Sequence, residues 1–169
     1  YIKVNNFMPN IHFIHPNDFV PYEFSRTAIQ LLQSQGIKIF GFTNQHRVSR
    51  GEASIVEFQK EFLSYGFDDG FICPHSLLDS CVCRKPKPGM LLEAASKYNL
   101  NLNLKNCVVI GDVGGTDMLA AQAVGALKIL VLTGWGKGSL SQYRVEWKDV
   151  EPDYIAENLL EAVKWILDQ

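Results

Sequence analysis

Residues 108–117 read VVIGDVGGTD. With Cys107 in front, the run CVVIG over 107–111 is apolar and rich in β-branched residues, which reads as a buried strand. Such a strand delivers Asp112 to its carboxyl end. A glycine-containing turn then brings Asp117 to the start of a helix expected over 116–124. Two carboxylates on one tight loop at a strand end suit Mg²⁺, which takes oxygen ligands and keeps several waters. The plainer alternative is that Asp112 closes a strand and Asp117 decorates a helix N-terminus, where negative charge is favourable.

Outward from this loop the pattern alternates strand and helix. Residues 37–43 (IKIFGFT) and 127–132 (LKILVL) are two further apolar strands. A helix is expected over 25–35, capped by Ser25, ended by Gly36 and carrying Ala28, Leu31 and Leu32 at helical spacing. A second runs over 52–65 with Ile55, Phe58 and Phe62 inward, stopped by Gly66. A third, over 88–98, starts on Pro88 and buries Met90, Leu91, Ala94 and Ala95. The last, over 157–167, aligns Leu159, Leu160, Val163 and Ile166. Strands that are apolar throughout and separated by helices imply an α/β fold, with a mainly parallel sheet covered on both faces. Ligands of such sheets sit beyond the carboxyl ends of the strands. The loops after residues 43 and 111 therefore face one crevice.

Those loops carry the polar chemistry. Thr43-Asn44-Gln45 offers a hydroxyl, an amide and backbone N–H groups that can bind phosphate oxygens, although polar residues after a strand also make ordinary turns. Arg84-Lys85-Pro86-Lys87-Pro88 follows at the mouth of a helix. Lys85 can neutralise phosphate as a point charge, whereas Arg84 and Lys87 can equally be solvated. The sharpest local signal is Cys73-Pro-His75, five residues, then Cys81-Val-Cys83. Two pairs, each spaced by one residue, close a four-ligand tetrahedral site with three thiolates and an imidazole. Such a site has no open position, so it orders a loop rather than activating water. A disulfide or a chance cysteine-rich turn are the alternatives. Cys107 reads as a core thiol, and His12, His15 and His46 as incidental.

Composition narrows the class. A chain of 169 residues with 47% hydrophobic and 20% charged residues can build one core, so residues 1–169 read as one domain. A net charge of −2 argues against a nucleic-acid footprint. No apolar run approaches the roughly 20 residues of a membrane span. No signal segment opens the chain, which makes the cytoplasm the expected location. There, three cysteines crowded beside a histidine favour metal over disulfides.

Taken together, a strand ending in Thr43-Asn44-Gln45, then Arg84-Lys85-Pro86, then Gly111-Asp112 through Asp117 resembles the haloacid dehalogenase (HAD) superfamily. The Cys-x-His…Cys-x-Cys loop just before Arg-Lys-Pro narrows the resemblance to the heptose-1,7-bisphosphate and histidinol-phosphate phosphatases. It covers about residues 14–134. The resemblance implies a Rossmann-like three-layer sandwich with a minimal cap and a zinc-bound loop. It also implies Mg²⁺-dependent hydrolysis of a small phosphorylated metabolite through a nucleophilic aspartate. Thr43 and Asn44 would bind the phosphoryl group. Lys85 would stabilise its charge, Asp112 would hold Mg²⁺ with Asp117 in support, and Arg84 would touch substrate. Cys73, His75, Cys81 and Cys83 would hold Zn²⁺. A sugar phosphate, an amino-alcohol phosphate and a nucleotide all fit this class.

One family motif is missing. No Asp-x-Asp pair occurs in the sequence, and the first acidic residue is Asp18. Either an upstream segment carries the motif, or residues 1–7 (YIKVNNF) are the first strand, with Lys3 or Asn5 near where the acids belong. The second case would leave a phosphate- or partner-binding protein on a phosphatase scaffold, because losing a nucleophile costs many powers of ten in rate. Residues 134–150 read as a glycine-rich, then aromatic and charged, surface connection.

Overall fold

A computed structural model describes residues 21–101 and 106–169. The expectations for residues 1–7, His12, His15 and Asp18 lie outside these residues. The described elements are α1 (Glu23–Ser34), β1 (Phe40–Asn44), α2 (Ile55–Ser64), β2 (Asp69–Cys73), α3 (Gly89–Tyr98), β3 (Val108–Gly111), α4 (Leu119–Val124), β4 (Leu127–Val131), α5 (Gly136–Leu140), β5 (Tyr154–Ala156) and α6 (Leu159–Leu167). A π-turn, Gly114–Met118, precedes α4, and a 3₁₀ turn, Arg144–Trp147, follows α5.

Every strand pair is parallel, as continuous apolar strands require. Among the described residues β1 pairs with β2, and β3, β4 and β5 form a second ladder in that order. One core gathers Ile29 and Leu32 of α1, Phe62 of α2 and Val163 of α6 with Ile110 of β3 and Ile129 and Val131 of β4. Met90 and Ala94 of α3 pack with Phe71 and Cys73 of β2, and Met118 packs with Leu130 and Trp147. Between β1 and Arg84 the chain holds only α2, β2 and a cysteine-rich loop, so the cap is minimal. No helix among the described residues is long and apolar enough to cross a membrane.

Local chemistry shifts several expected boundaries. Tyr22, not Ser25, occupies the N-cap of α1; Ser25 lies buried inside the helix. Helix α2 starts three residues later than expected, because Ser54 and Glu57 close a reciprocal capping box. Its first residue, Ile55, is 38% exposed rather than inward-facing. Pro88 is the N-cap of α3 and not its first helical residue. The short strands β2 and β5 escape a reading by apolar periodicity.

Phe62 explains two glycines. Gly41 of β1 and Gly70 of β2 are register partners, and a Cβ on either would fall on the Phe62 ring. The pair opens a slot in the sheet that lets α2 dock at ring depth. Gly70→Ala is expected to cost about 1–3 kcal/mol through overpacking, read as a lower urea midpoint with an unchanged m-value.

Candidate functional site

The carboxyl ends of β1, β2 and β3 supply the site, and each part is fixed by a neighbouring backbone. At the tip of β1, Thr43 is buried and its Oγ1 accepts from Gln45 Nε2 at 2.9 Å. The Gln45 backbone N–H donates to the Cys73 carbonyl at 2.8 Å, which joins the tips of β1 and β2.

Cys73 ends β2, and from there the chain forms a metal-binding geometry. A tight turn follows, in which the Ser76 N–H donates to Asp79 Oδ2 at 2.6 Å, and it returns the chain to Cys81 and Cys83. The four donor atoms of Cys73, His75, Cys81 and Cys83 lie within 4.8 Å of one another. Cys73 Sγ stands 3.8 Å from Cys81 Sγ and 3.2 Å from Cys83 Sγ. His75 Nδ1 stands 3.6 Å from Cys73 Sγ and 3.2 Å from Cys83 Sγ. Tetrahedral zinc, with bonds of about 2.3 Å to sulfur and 2.0–2.1 Å to nitrogen, would give edges of about 3.8 and 3.6 Å. The donor set therefore fits a four-coordinate cation. Burial, then the thiols of Cys73 and Cys81, push the Cys83 thiol up to about 12. A cation reverses this, because a coordinating thiol gives up its proton.

The cluster delivers Lys85. Two residues beyond Cys83, its backbone N–H donates to Asn44 Oδ1 at 3.0 Å, and Asn44 Nδ2 donates to the Lys85 carbonyl at 3.1 Å. The Asn44 side chain thus braces Lys85 on both backbone groups. Lys85 Nζ donates to the Phe42 carbonyl at 3.2 Å and to Asp117 Oδ1 at 2.6 Å. Lys85 is 8% exposed and Asp117 1%. Asp117 Oδ2 accepts from the Val113 N–H at 3.1 Å. A Cβ on Gly111 would collide with Asp117, so glycine is what lets this carboxylate lie against β3. Asp117 therefore sits in a π-turn facing Lys85, not on an exposed helix start.

Asp112, 3% exposed, stands at the tip of β3. Its Oδ2 accepts from the Trp135 N–H at 2.9 Å, and its carbonyl accepts from Ser139 Oγ at 2.8 Å. Gly134, with φ +60°, passes so close to Oδ2 that a Cβ there would overlap it. A hard carboxylate at a strand tip suits Mg²⁺, which asks for one or two carboxylates and otherwise water or phosphate oxygens. Arg84 lies beside the cluster, its Nη1 donating to the His75 carbonyl at 3.2 Å. Burial, then the guanidinium groups of Arg50, Arg84 and Arg47, hold His46 below its usual range.

A family model described as HAD-hydrolase-like matches residues 82–162. A D-glycero-beta-D-manno-heptose-1,7-bisphosphate 7-phosphatase of Vibrio cholerae is 36% identical over 141 residues, 73% of each chain. The chain belongs to the HAD-like hydrolases. A Pseudomonas putida member with the same name is 37% identical over 134 residues, covering 74% of this chain and 75% of its own. A solved structure, the D,D-heptose 1,7-bisphosphate phosphatase of B. bronchiseptica complexed with magnesium and phosphate, superposes with a TM-score of 0.76 at 28% identity. It covers 90% of this chain and 87% of its own.

Sequence reasoning singled out Thr43, Asn44, Arg84, Lys85, Asp112, Asp117 and the four cluster residues. Ser139 and Trp135 went unnoticed, since a serine in a glycine-rich stretch carries no signal until the chain folds over β3. Removing one partner of a buried ion pair strands the other charge. Asp117→Ala should therefore cost about 3–5 kcal/mol, measured by chemical denaturation.

Proposed function

We propose that this HAD-like phosphatase hydrolyses the phosphate ester of a phosphorylated sugar, with heptose 1,7-bisphosphate as the first compound to try. The observation that carries the reading is the 2.6 Å contact between Lys85 Nζ and Asp117 Oδ1. It sets a cation from the β1–β2 side against the loop that bears Asp112. The names of the relatives support the choice of a sugar bisphosphate.

Each residue then has a task in holding the phosphoryl group; the nucleophilic aspartate that the family resemblance implies is not among them. Thr43 offers its hydroxyl to the phosphoryl oxygens. Asn44 orients Lys85, whose ammonium group offsets negative charge on the transferring group. Asp117 keeps Lys85 aimed and the Val113 turn closed. Asp112 would hold Mg²⁺, which supplies charge stabilisation to the phosphoryl oxygens. Arg84, with Arg47 and Arg50 nearby, gives the rim a basic character that suits a doubly phosphorylated substrate. Cys73, His75, Cys81 and Cys83 would hold Zn²⁺ and fix the loop that presents Arg84 and Lys85. Thiolate ligands need reducing surroundings, which supports a cytoplasmic setting. The shared core of α1 and α6 supports a single domain over 1–169.

The test measures binding and turnover separately. Inorganic phosphate should bind the 169-residue chain in the presence of Mg²⁺. Asp112→Asn and Lys85→Gln should each weaken it about tenfold or more, one power of ten being about 1.4 kcal/mol. Unchanged affinity in both variants would sink the site. Turnover of an aryl phosphate or of heptose 1,7-bisphosphate that Asp112→Asn abolishes supports the enzyme. Tight binding without turnover supports the non-catalytic alternative. For the cluster, elemental analysis should give about one zinc per chain, and Cys81→Ser should lose it.

A further inference from the structure

We infer that Ser139 is the positioning residue of the cation-binding loop, holding Asp112 in the geometry that its ligand role needs. This rests on the reading of Asp112 as the Mg²⁺ ligand. Residues 134–150 look like a plain connection in the sequence, yet they close over the tip of β3. Ser139 is 2% exposed and its hydroxyl is used twice. It donates to the Asp112 carbonyl at 2.8 Å and accepts from the Gly114 N–H at 3.1 Å. One oxygen thus pins the backbone on both sides of Val113. The same turn reaches the carboxylate: the Ser139 N–H donates to the Trp135 carbonyl at 2.8 Å, and the Trp135 N–H donates to Asp112 Oδ2 at 2.9 Å. Asp112 is gripped at its carbonyl and at its side chain by residues four apart on one short helical turn.

Trp147 locks that turn from behind. Its Nε1–H donates to the Ser139 carbonyl at 3.0 Å, and its ring is 2% exposed. Gly114 lies flush against the indole, so any Cβ there would enter the ring. Arg144 covers the indole at 4.1 Å from its centroid. The contacts run from the Arg144–Trp147 turn through Ser139 to Asp112. They matter for function because a free carboxylate loop would have to be ordered each time a cation bound. Here hydrogen bonds from Ser139, Trp135 and Trp147 hold the loop without drawing on the cation. Groups that orient a metal ligand typically change metal affinity by about ten- to a hundredfold when removed.

The test is Mn²⁺ binding to the full chain by electron paramagnetic resonance, with Mn²⁺ standing in for Mg²⁺ at an oxygen site. Affinity is referred to the folded fraction measured in the same samples. Ser139→Ala is expected to weaken Mn²⁺ about tenfold. Trp147→Phe keeps an aromatic ring, though a smaller one, and removes the N–H, and should weaken it in the same direction. Lys137→Ala, on the exposed side of the turn, should leave it unchanged. A merely structural role would lower the denaturation midpoint of Ser139→Ala while its folded molecules bound Mn²⁺ as the parent does. That result, with Trp147→Phe also unchanged, overturns the inference. Asp112→Asn separates the two levels. If it binds Mn²⁺ like the parent, the reading of Asp112 has failed. If it loses Mn²⁺ while both clamp variants keep it, only the role of Ser139 has failed.

Discussion

The buried ion pair between Lys85 and Asp117 is the constraint on which the rest of the site depends. Two charges taken from water cost several kcal/mol each after relaxation, and their attraction offsets this only when geometry and further hydrogen bonds are good. Both conditions hold here. Lys85 Nζ also donates to the Phe42 carbonyl, and Asp117 also accepts from the Val113 N–H. Among the described residues β1 and β3 belong to different ladders. The pair therefore links a loop braced on the β1 tip to the turn that follows β3, where no backbone hydrogen bond between described strands joins the two ladders. A hydrophobic replacement of similar volume can be equally stable, but it would leave no ammonium group at the Lys85 position.

The cysteine–histidine cluster is what makes this pair geometrically accessible. Lys85 lies two residues past Cys83, and its backbone is held on both sides by Asn44. A loop of about ten residues with an exposed Leu77-Leu78 tip has little apolar area of its own to bury. A cation joining Cys73 to Cys83 would supply the cross-link that such a loop lacks in hydrophobic contacts. The fold can thus dispense with a large cap and still place a lysine to within hydrogen-bonding distance of its partner.

Much of this was legible in advance for a physical reason. The strands over 108–111 and 127–131 are largely buried, so their sequences are apolar except for Lys128 and announce themselves. Asp112 at the end of one such strand is conspicuous, as are three cysteines within eleven residues. Strand β2 was missed because its apolar part is only Phe71 and Ile72, between an Asp-Gly start and a cysteine of the cluster. Strand β5 has three residues and an exposed Ile155, too short to show a period. The cap of α1 was misplaced because a serine beside a helix start resembles a cap, whether or not an aromatic residue upstream takes that place. Asn44 was read as facing a ligand, whereas its side chain is engaged by the Lys85 backbone; nothing local distinguishes the two.

By itself, the sequence determined the class of the fold, the parallel sheet, the members of the cysteine–histidine cluster and the identity of the strand-tip residues. These depend on periodicity and on spacings of a few residues, which a linear reading can measure. Tertiary structure decided which tip residue meets which. Gly41 and Gly70 flank Phe62, Lys85 finds Asp117 across 32 positions, and Ser139 reaches Asp112 across 27. Such partnerships are set by packing between distant segments, where the chemistry of a single serine or lysine is silent until its neighbour is known.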